Sequence, residues 1–175
     1  MPLDLIHISL ASQRLIGLSN GVPLCDFPVS TALNGAGEQD GSGCTPLGRH
    51  RVRARIGDGQ PLGTVFIGRR PTGEIWSPEF ARQHPQRDWI LTRILWLCGE
   101  QPGFNRGGNR DSQRRYIYLH GTPDDQPMGV ALSHGCVRLR NTDMLTLFEL
   151  TPVGCRVEIH EQAIEPLISS RTPTE

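Results

Sequence analysis

Ser133-His134-Gly135-Cys136-Val137-Arg138-Leu139-Arg140-Asn141 decides how this chain is read, together with Tyr118-Leu119-His120-Gly121 just upstream. A thiol follows a glycine, with one histidine two residues before it and another sixteen before it. These are parts for covalent catalysis. The thiolate is the nucleophile, and a cysteine is mostly protonated at neutral pH until a base or a positive field lowers its pKa. Gly135 has no side chain, so the backbone there can turn sharply and approach a substrate closely. Successive N–H groups at such a turn form a nest for a developing oxyanion. The same residue types also fit a buried thiol beside two satisfied imidazoles, or ligands of a metal. Metal spacing is poor, because no Cys-x-x-Cys pair and no second Cys/His cluster completes four ligands. Neither a metal nor a cofactor is expected.

Working outward, the match extends well beyond this block. His120-Gly121-Thr122-Pro123-Asp124, the short loop through Met128-Gly129, then Ser133-His134-Gly135-Cys136-Val137-Arg138-Leu139 and Asn141 resemble the L,D-transpeptidase catalytic domain, or YkuD, family. The signature of that family is a histidine followed by a Ser/Thr-His-Gly-Cys block. Ile6-His7-Ile8 resembles its opening strand, Pro28-Val29-Ser30-Thr31 its next core strand, and Thr45-Pro46-Leu47-Gly48 its Thr-Pro-x-Gly turn. The resemblance covers residues 4–160 and leaves 161–175 as a C-terminal tail.

The resemblance implies a single domain, mainly β with two helices, of the L,D-transpeptidase β-sandwich or barrel type. His120 would end one strand and Cys136 would lie in the adjoining loop. It also implies thiol acyl transfer in peptidoglycan metabolism. Cys136 would attack the L,D bond between meso-diaminopimelate and the terminal D-alanine of a stem tetrapeptide. His120 would lower the thiol pKa, activate it, and later protonate the leaving amine. The Gly121 carbonyl would orient the His120 ring, and the N–H groups of His134, Gly135 and Cys136 would hold the oxyanion. Substrate-binding candidates are Arg138, Ser133 and Tyr118. Arg138 either grips a substrate carboxylate or fixes the loop, and Tyr118 either lines the pocket or belongs to the core.

Composition bounds the partners. A chain of 175 residues is in the range of one domain that buries a core without staples. Eighteen acidic residues balance eighteen basic ones, so nothing argues for nucleic acid as a partner. Every basic residue is arginine, a bias that genomic base composition explains first, although arginine is also the better fork for carboxylates. Cys25, Cys44, Cys98, Cys136 and Cys155 are odd in number and scattered, which argues against a disulfide framework and fits a reducing compartment. Met1-Pro2-Leu3-Asp4-Leu5 lacks the basic region and apolar run of a signal peptide. No stretch approaches the ~20 apolar residues needed to cross a membrane, so no membrane partner is expected.

The compartment expected from these features is the cytoplasm, or the periplasm if a leader once preceded Met1. Soluble peptidoglycan stem tetrapeptides or muropeptides are then the expected partners, with water as acceptor: an L,D-carboxypeptidase of muropeptide recycling. The alternatives are an L,D-transpeptidase that forms 3-3 cross-links or attaches wall proteins, and a non-catalytic peptidoglycan-binding module. The oligomeric state is not set by the sequence.

Element by element, 5–10 and 14–18 read as strands that pair, followed by a Ser19-Asn20-Gly21 hairpin turn. The segment 24–31 reads as the next strand and 32–43 as a loop. Period two places Arg49, Arg51, Arg53 and Arg55 on one strand face. Short strands follow at 65–69 and 74–76. Trp89, Ile90, Ile94 and Leu97 fall at helical spacing and predict a helix over 87–97. The glycine-rich, basic stretch 100–115 reads as a loop at the mouth of the site, either a lid or plain surface. A strand at 116–119 follows, and Asn141 is expected to cap a helix through Leu150 with Asp143 in its first turn. A last strand is expected at 155–159, with a frayed tail beyond Pro166.

Overall fold

The computed structural model describes residues 1–165. Its strands are β1 (Leu5–Ser9), β2 (Arg14–Ser19), β3 (Val22–Pro28), β4 (Gly48–Ile56), β5 (Thr64–Ile67) and β6 (Arg70–Ile75) in the first half. The second half adds α1 (Pro78–Gln83), β7 (Ile90–Gly99), β8 (Tyr118–Thr122), β9 (Val137–Arg140), α2 (Asn141–Leu150) and β10 (Arg156–His160). All strands join one curled sheet in the order β3-β2-β1-β10-β4-β7-β5-β6, with β8 also on β7 and β9 on β8. Two pairings are parallel, β1 with β10 and β8 with β9. The architecture is mainly β with two helices in a single domain, as expected.

The core lies where α2 packs on one sheet face. Met144, Leu147 and Phe148 of α2 meet Leu95 and Leu97 of β7, Leu119 of β8 and Leu139 of β9, all fully buried. Each such side chain contributes about 1.5–3 kcal/mol by leaving water. The β2–β3 hairpin turns at Asn20 and Gly21, both at positive φ (49° and 81°), as the Asn-Gly pair predicts.

Three expectations are corrected, and one alternative left open is narrowed. The segment 87–97 is not a helix; its apolar run is strand β7, buried along nearly its whole length. Leu95 and Leu97 serve the α2 core while Ile94 packs with Phe66 and Tyr118 on the other face. A strand buried on both faces is apolar at every position and so mimics a helix by period alone. The first helix is instead α1, whose signal was present in the sequence: Ser77 caps it by accepting from the Phe80 N–H (3.0 Å), and Pro78 occupies the first turn.

The four β4 arginines do not share a face. A bulge between Val52 and Ala54 turns Arg55 inward, where its guanidinium stacks 4.1 Å from the Phe148 ring and donates to the Phe148 carbonyl (3.0 Å). That is the C-terminal end of α2, where a cation suits the helix dipole. Nor does Asn141 cap α2: it is the first helical residue, and its side chain is directed elsewhere, as described below.

The loop 100–115 is pinned down rather than free to act as a lid. Buried Asn105 donates to the Leu47 and Arg49 carbonyls (3.0 Å each), and buried Ser112 bonds the His50 ring (2.8 Å). At the C-terminal end, Ile164 packs on Ile16 and Leu18, and Glu165 pairs with Arg14 (3.0 Å), so the packed body continues past His160. The tail expected to fray beyond Pro166 lies outside the described residues. Among the described residues, no helix is long and apolar enough to cross a membrane.

His50 gives the fold an acid-sensitive point. Burial opposes its charging, the Gly48 carbonyl bond only partly offsets this, and the Arg115 charge adds to it, so its pKa falls to about 4. In the unfolded chain the ring titrates near 6.5, so between these values the unfolded state holds more protons. Stability is therefore fully present above about pH 6.5 and lost as pH falls toward 4, by roughly 3 kcal/mol for this group. Urea melts are expected to show this slope, and His50→Gln should flatten it. An unchanged slope in that variant would mean His50 is not buried in its neutral form.

Candidate active site

Strand parity assembles the site. Along parallel β8 and β9, Leu119 stands opposite Val137, His120 opposite Arg138 and Gly121 opposite Leu139. Leu119, Val137 and Leu139 fill the core, so Tyr118, His120, Cys136 and Arg138 emerge together on the other face. Cys136 stands one residue before β9. Its Sγ accepts from the Tyr118 N–H (3.4 Å) and donates to the Tyr116 carbonyl (3.3 Å).

The loop carrying Cys136 is tied from within and from below. Ser133 Oγ donates to the Cys136 carbonyl (2.5 Å) and accepts from the Gly135 N–H (3.2 Å). Thr45, of the Thr-Pro-x-Gly turn, is fully buried and donates to the Gly135 carbonyl (2.8 Å). Gly135 has φ +134°, and a Cβ there would meet the Cys44 carbonyl at 3.3 Å, so the turn requires glycine. Arg115 donates to that same Cys44 carbonyl (2.7 Å), which fixes a cation beneath the loop.

His120 is buried, and its Nδ1 lies 2.7 Å from the Gly121 carbonyl. A carbonyl only accepts, so Nδ1 carries the proton and Nε2 presents its lone pair. Gly121 itself has no space for a Cβ against Asn141 Oδ1 and the Leu91 carbonyl. Asn141 is held there by the Thr92 hydroxyl (2.6 Å) and donates to Asp124 (3.2 Å). Thr92 lies in the β7 bulge at φ +73°, a conformation costing a β-branched residue about 1–3 kcal/mol. Its bonds to Asn141 and to the Gly63 N–H (3.1 Å) offset that strain. The bulge thus supports the peptide that orients His120.

Asp88, just before β7, straps the face from above. One carboxylate oxygen accepts from Arg138 (3.1 Å) and the other lies 3.2 Å from His134 Nδ1. Arg138 also reaches the Leu132 carbonyl (3.4 Å). A cavity of about 480 Å³ opens at Cys136, walled by Phe66, Gly68, Ile90, Ile94, Tyr116 and Tyr118 and bearing Arg69. The Arg69 guanidinium stacks 4.6 Å from the Trp96 ring and donates to the Tyr118 hydroxyl (3.0 Å). A second pocket of about 100 Å³ lies around Arg138, Asp88, Thr122 and Gln126.

These surroundings set the charge states. Burial pushes the Cys136 thiol up to about 11; the Tyr118 N–H draws it down, Asp88 pushes it further up, and Arg138 and Arg115 draw it down. Burial also lowers the His120 pKa against the Gly121 bond. The resting pair is a neutral thiol and a neutral imidazole. The expectation that His120 depresses the thiol pKa is therefore corrected: desolvation outweighs the local charges.

The structure brings Cys136, His120, Gly121, Tyr118 and Arg138 together and separates the remaining candidates by role. Gly135 spends its N–H on Ser133, which leaves the His134 and Cys136 N–H groups without an acceptor among the described residues. Ser133 faces inward and braces the loop rather than the cavity. The His134 ring is exposed and tied to Asp88. Arg138 is buried and paired, while Arg69, which sequence reasoning missed, projects into the cavity. Asp88 and Thr92 were also missed. Nothing in their local sequence marks them, because their roles arise from the bulged β7 packing against β8 and α2.

The family model described as YkuD, L,D-transpeptidase catalytic domain, matches residues 4–159. The chain belongs to the L,D-transpeptidase family. Probable L,D-transpeptidase YbiS of Escherichia coli is 30% identical over 112 residues, covering 63% of this chain and 36% of that protein. Probable L,D-transpeptidase ErfK/SrfK of the same organism is 43% identical over 117 residues, covering 60% and 37%. The chain spans little more than a third of the length of these relatives. L,D-transpeptidase 3 of Mycobacterium tuberculosis, in complex with a faropenem-derived adduct, shares the fold with a TM-score of 0.55 at 15% identity, over 91% of this chain and 61% of that one. The L,D-transpeptidase of Xylanimonas cellulosilytica does so at 0.51 and 19%, over 90% and 60%. The present chain is an enzyme of this family.

For this L,D-transpeptidase-family site, the alkylation rate of Cys136 by iodoacetamide should climb roughly tenfold per pH unit from pH 7 to 10 without a plateau. Asp88→Asn removes a charge that raises the thiol pKa, so it should speed alkylation at fixed pH. A plateau near neutrality, the mark of a preformed thiolate, would contradict the neutral-pair assignment.

Proposed function

We propose that the enzyme is an L,D-carboxypeptidase that hydrolyses the bond between meso-diaminopimelate and the terminal D-alanine of a peptidoglycan stem tetrapeptide. The supporting observation is the unequal space around the Cys136–His120 face. The cavity at Cys136 measures about 480 Å³, enough for the end of one stem. The pocket beside Arg138 measures about 100 Å³. At roughly 30 Å³ per water it suits a few waters and not a second peptide.

In this reading Cys136 Sγ attacks the scissile carbonyl while His120 Nε2 takes the thiol proton, so that ionisation and attack occur together. The His134 and Cys136 N–H groups receive the oxyanion. Collapse of that intermediate breaks the C–N bond, and His120 returns the proton to the departing D-alanine amine. Water, deprotonated by His120, then attacks the thioester carbon. The tripeptide leaves as a carboxylic acid and the thiol is restored.

Arg69 is the group placed to grip the free carboxylate of the terminal D-alanine, in place of Arg138, which is already paired. A carboxylate held by guanidinium on an apolar wall gains from both charge and fork geometry. Soluble muropeptides are the fitting substrates, and the cytoplasm the fitting compartment: all five cysteines are free thiols. The names of the relatives favour a second reading, in which an amine of another stem attacks the thioester and forms a cross-link.

Mass analysis of products from disaccharide tetrapeptide separates the two. Tripeptide and free D-alanine are expected, and abundant dimers would establish the transpeptidase instead. Arg69→Ala should lower kcat/KM by about 10- to 100-fold, the worth of a charged hydrogen bond. Arg138→Ala should act mainly on stability of the loop. Undiminished kcat/KM in Arg69→Ala would remove it as the carboxylate anchor.

A further inference from the structure

Away from the catalytic face, β1 and β10 bring together three groups far apart in sequence. Parallel register sets His7 opposite Glu158 and Ser9 opposite His160. Ile6, Ile8, Val157 and Ile159 fill the core, so His7, Glu158 and His160 emerge on the opposite face. His7 Nδ1 lies 2.9 Å from His160 Nε2 and 3.6 Å from Glu158 Oε2, and His160 Nε2 lies 3.8 Å from that same oxygen. The three atoms form a small triangle.

We propose that His7, Glu158 and His160 form a binding site for a divalent transition-metal ion of the Zn²⁺ type. Zn²⁺ takes imidazole and carboxylate ligands tetrahedrally at ~2.0–2.2 Å, which spaces neighbouring ligand atoms ~3.3–3.5 Å apart. The observed triangle straddles that spacing, so small rotations of the side chains close it around an ion. The two rings share a hydrogen bond at 2.9 Å, which an ion would replace, while the carboxylate at 3.6 and 3.8 Å lies beyond ordinary bonding reach of both ring nitrogens. Arg49 is the register partner of Glu158 on β4, yet no ion pair joins the two among the described residues. Two imidazoles and one carboxylate favour a borderline ion over Mg²⁺ or Ca²⁺, which prefer all-oxygen shells. Glu158 and His160 are partly exposed and give the ion its path in.

The site differs from the catalytic one. β4 and β7 separate β10 from β8, a spacing of roughly 14 Å across three strand gaps. In the sheet order, the three strands β3-β2-β1 join the rest through the β1–β10 pair. An ion there would cross-link two strands 151 residues apart, and closing so long a loop stabilises the folded state.

The test is titration of chelator-treated protein with Zn²⁺ by calorimetry and with Co²⁺ by absorption, all in a Cys136→Ser background so that the reactive thiol does not compete. One ion per chain, a raised Tm, and a cobalt spectrum free of thiolate charge transfer are expected. Glu158→Gln and His160→Gln should each weaken binding at least about 10-fold, with metal-free melting curves confirming that each variant folds. Failure to bind stoichiometric Zn²⁺ at micromolar concentration, unchanged affinity in both variants, or thiolate bands with Co²⁺ would overturn the proposal.

Discussion

The parallel pairing of β8 with β9 is the constraint on which the site depends. Two short strands share one register, and alternation does the rest. Leu119, Val137 and Leu139 are driven into the α2 core, which fixes which way every other residue must face. Tyr118, His120, Cys136 and Arg138 have no choice but the opposite side. A one-residue slip would bury the thiol in the core and expose its apolar neighbours, so the hydrophobic packing that stabilises the fold also places the candidate catalytic groups.

That placement has an electrostatic consequence. The face opposite the core is itself walled by Phe66, Ile94 and Tyr118, so the imidazole is fully and the thiol partly withdrawn from water. Burial disfavours the charged form of each, which raises one pKa and lowers the other. The site therefore stores a neutral thiol and a neutral imidazole, with Nδ1 of the ring committed to Gly121. Asp88, Arg138 and Arg115 adjust this state without reversing it. A thiol kept protonated at rest is protected from adventitious oxidation, and in the proposed mechanism it is activated only when substrate brings the developing charge to the N–H groups of the loop.

Much of this was legible in the sequence where local chemistry decides local structure. The Ser133–Asn141 block, the Asn20-Gly21 turn and helix α2 all declare themselves within a few residues. Ser77-Pro78 announced α1 just as clearly. What stayed hidden depends on packing between distant segments. β7 read as a helix because a strand buried on both faces loses its alternation. Arg55 read as sharing a face with Arg49, Arg51 and Arg53 because a bulge, which no residue at Val52–Ala54 announces, reverses its side. Arg69 and Asp88 join the site only through the β5–β6 turn and the entry to β7, and His7 meets Glu158 and His160 across some 150 residues. Asn141 was singled out correctly as important but for the wrong bond: it braces Gly121 rather than capping α2.

The central claim is that Cys136 carries the acyl group between the two half-reactions. Intact-mass spectrometry of enzyme acid-quenched during turnover of stem tetrapeptide tests it most directly. The account expects an adduct whose mass is that of the stem less its terminal D-alanine, mapped by peptide digestion to Cys136. An adduct on Cys44 or any other cysteine, or full turnover by Cys136→Ser, would contradict it.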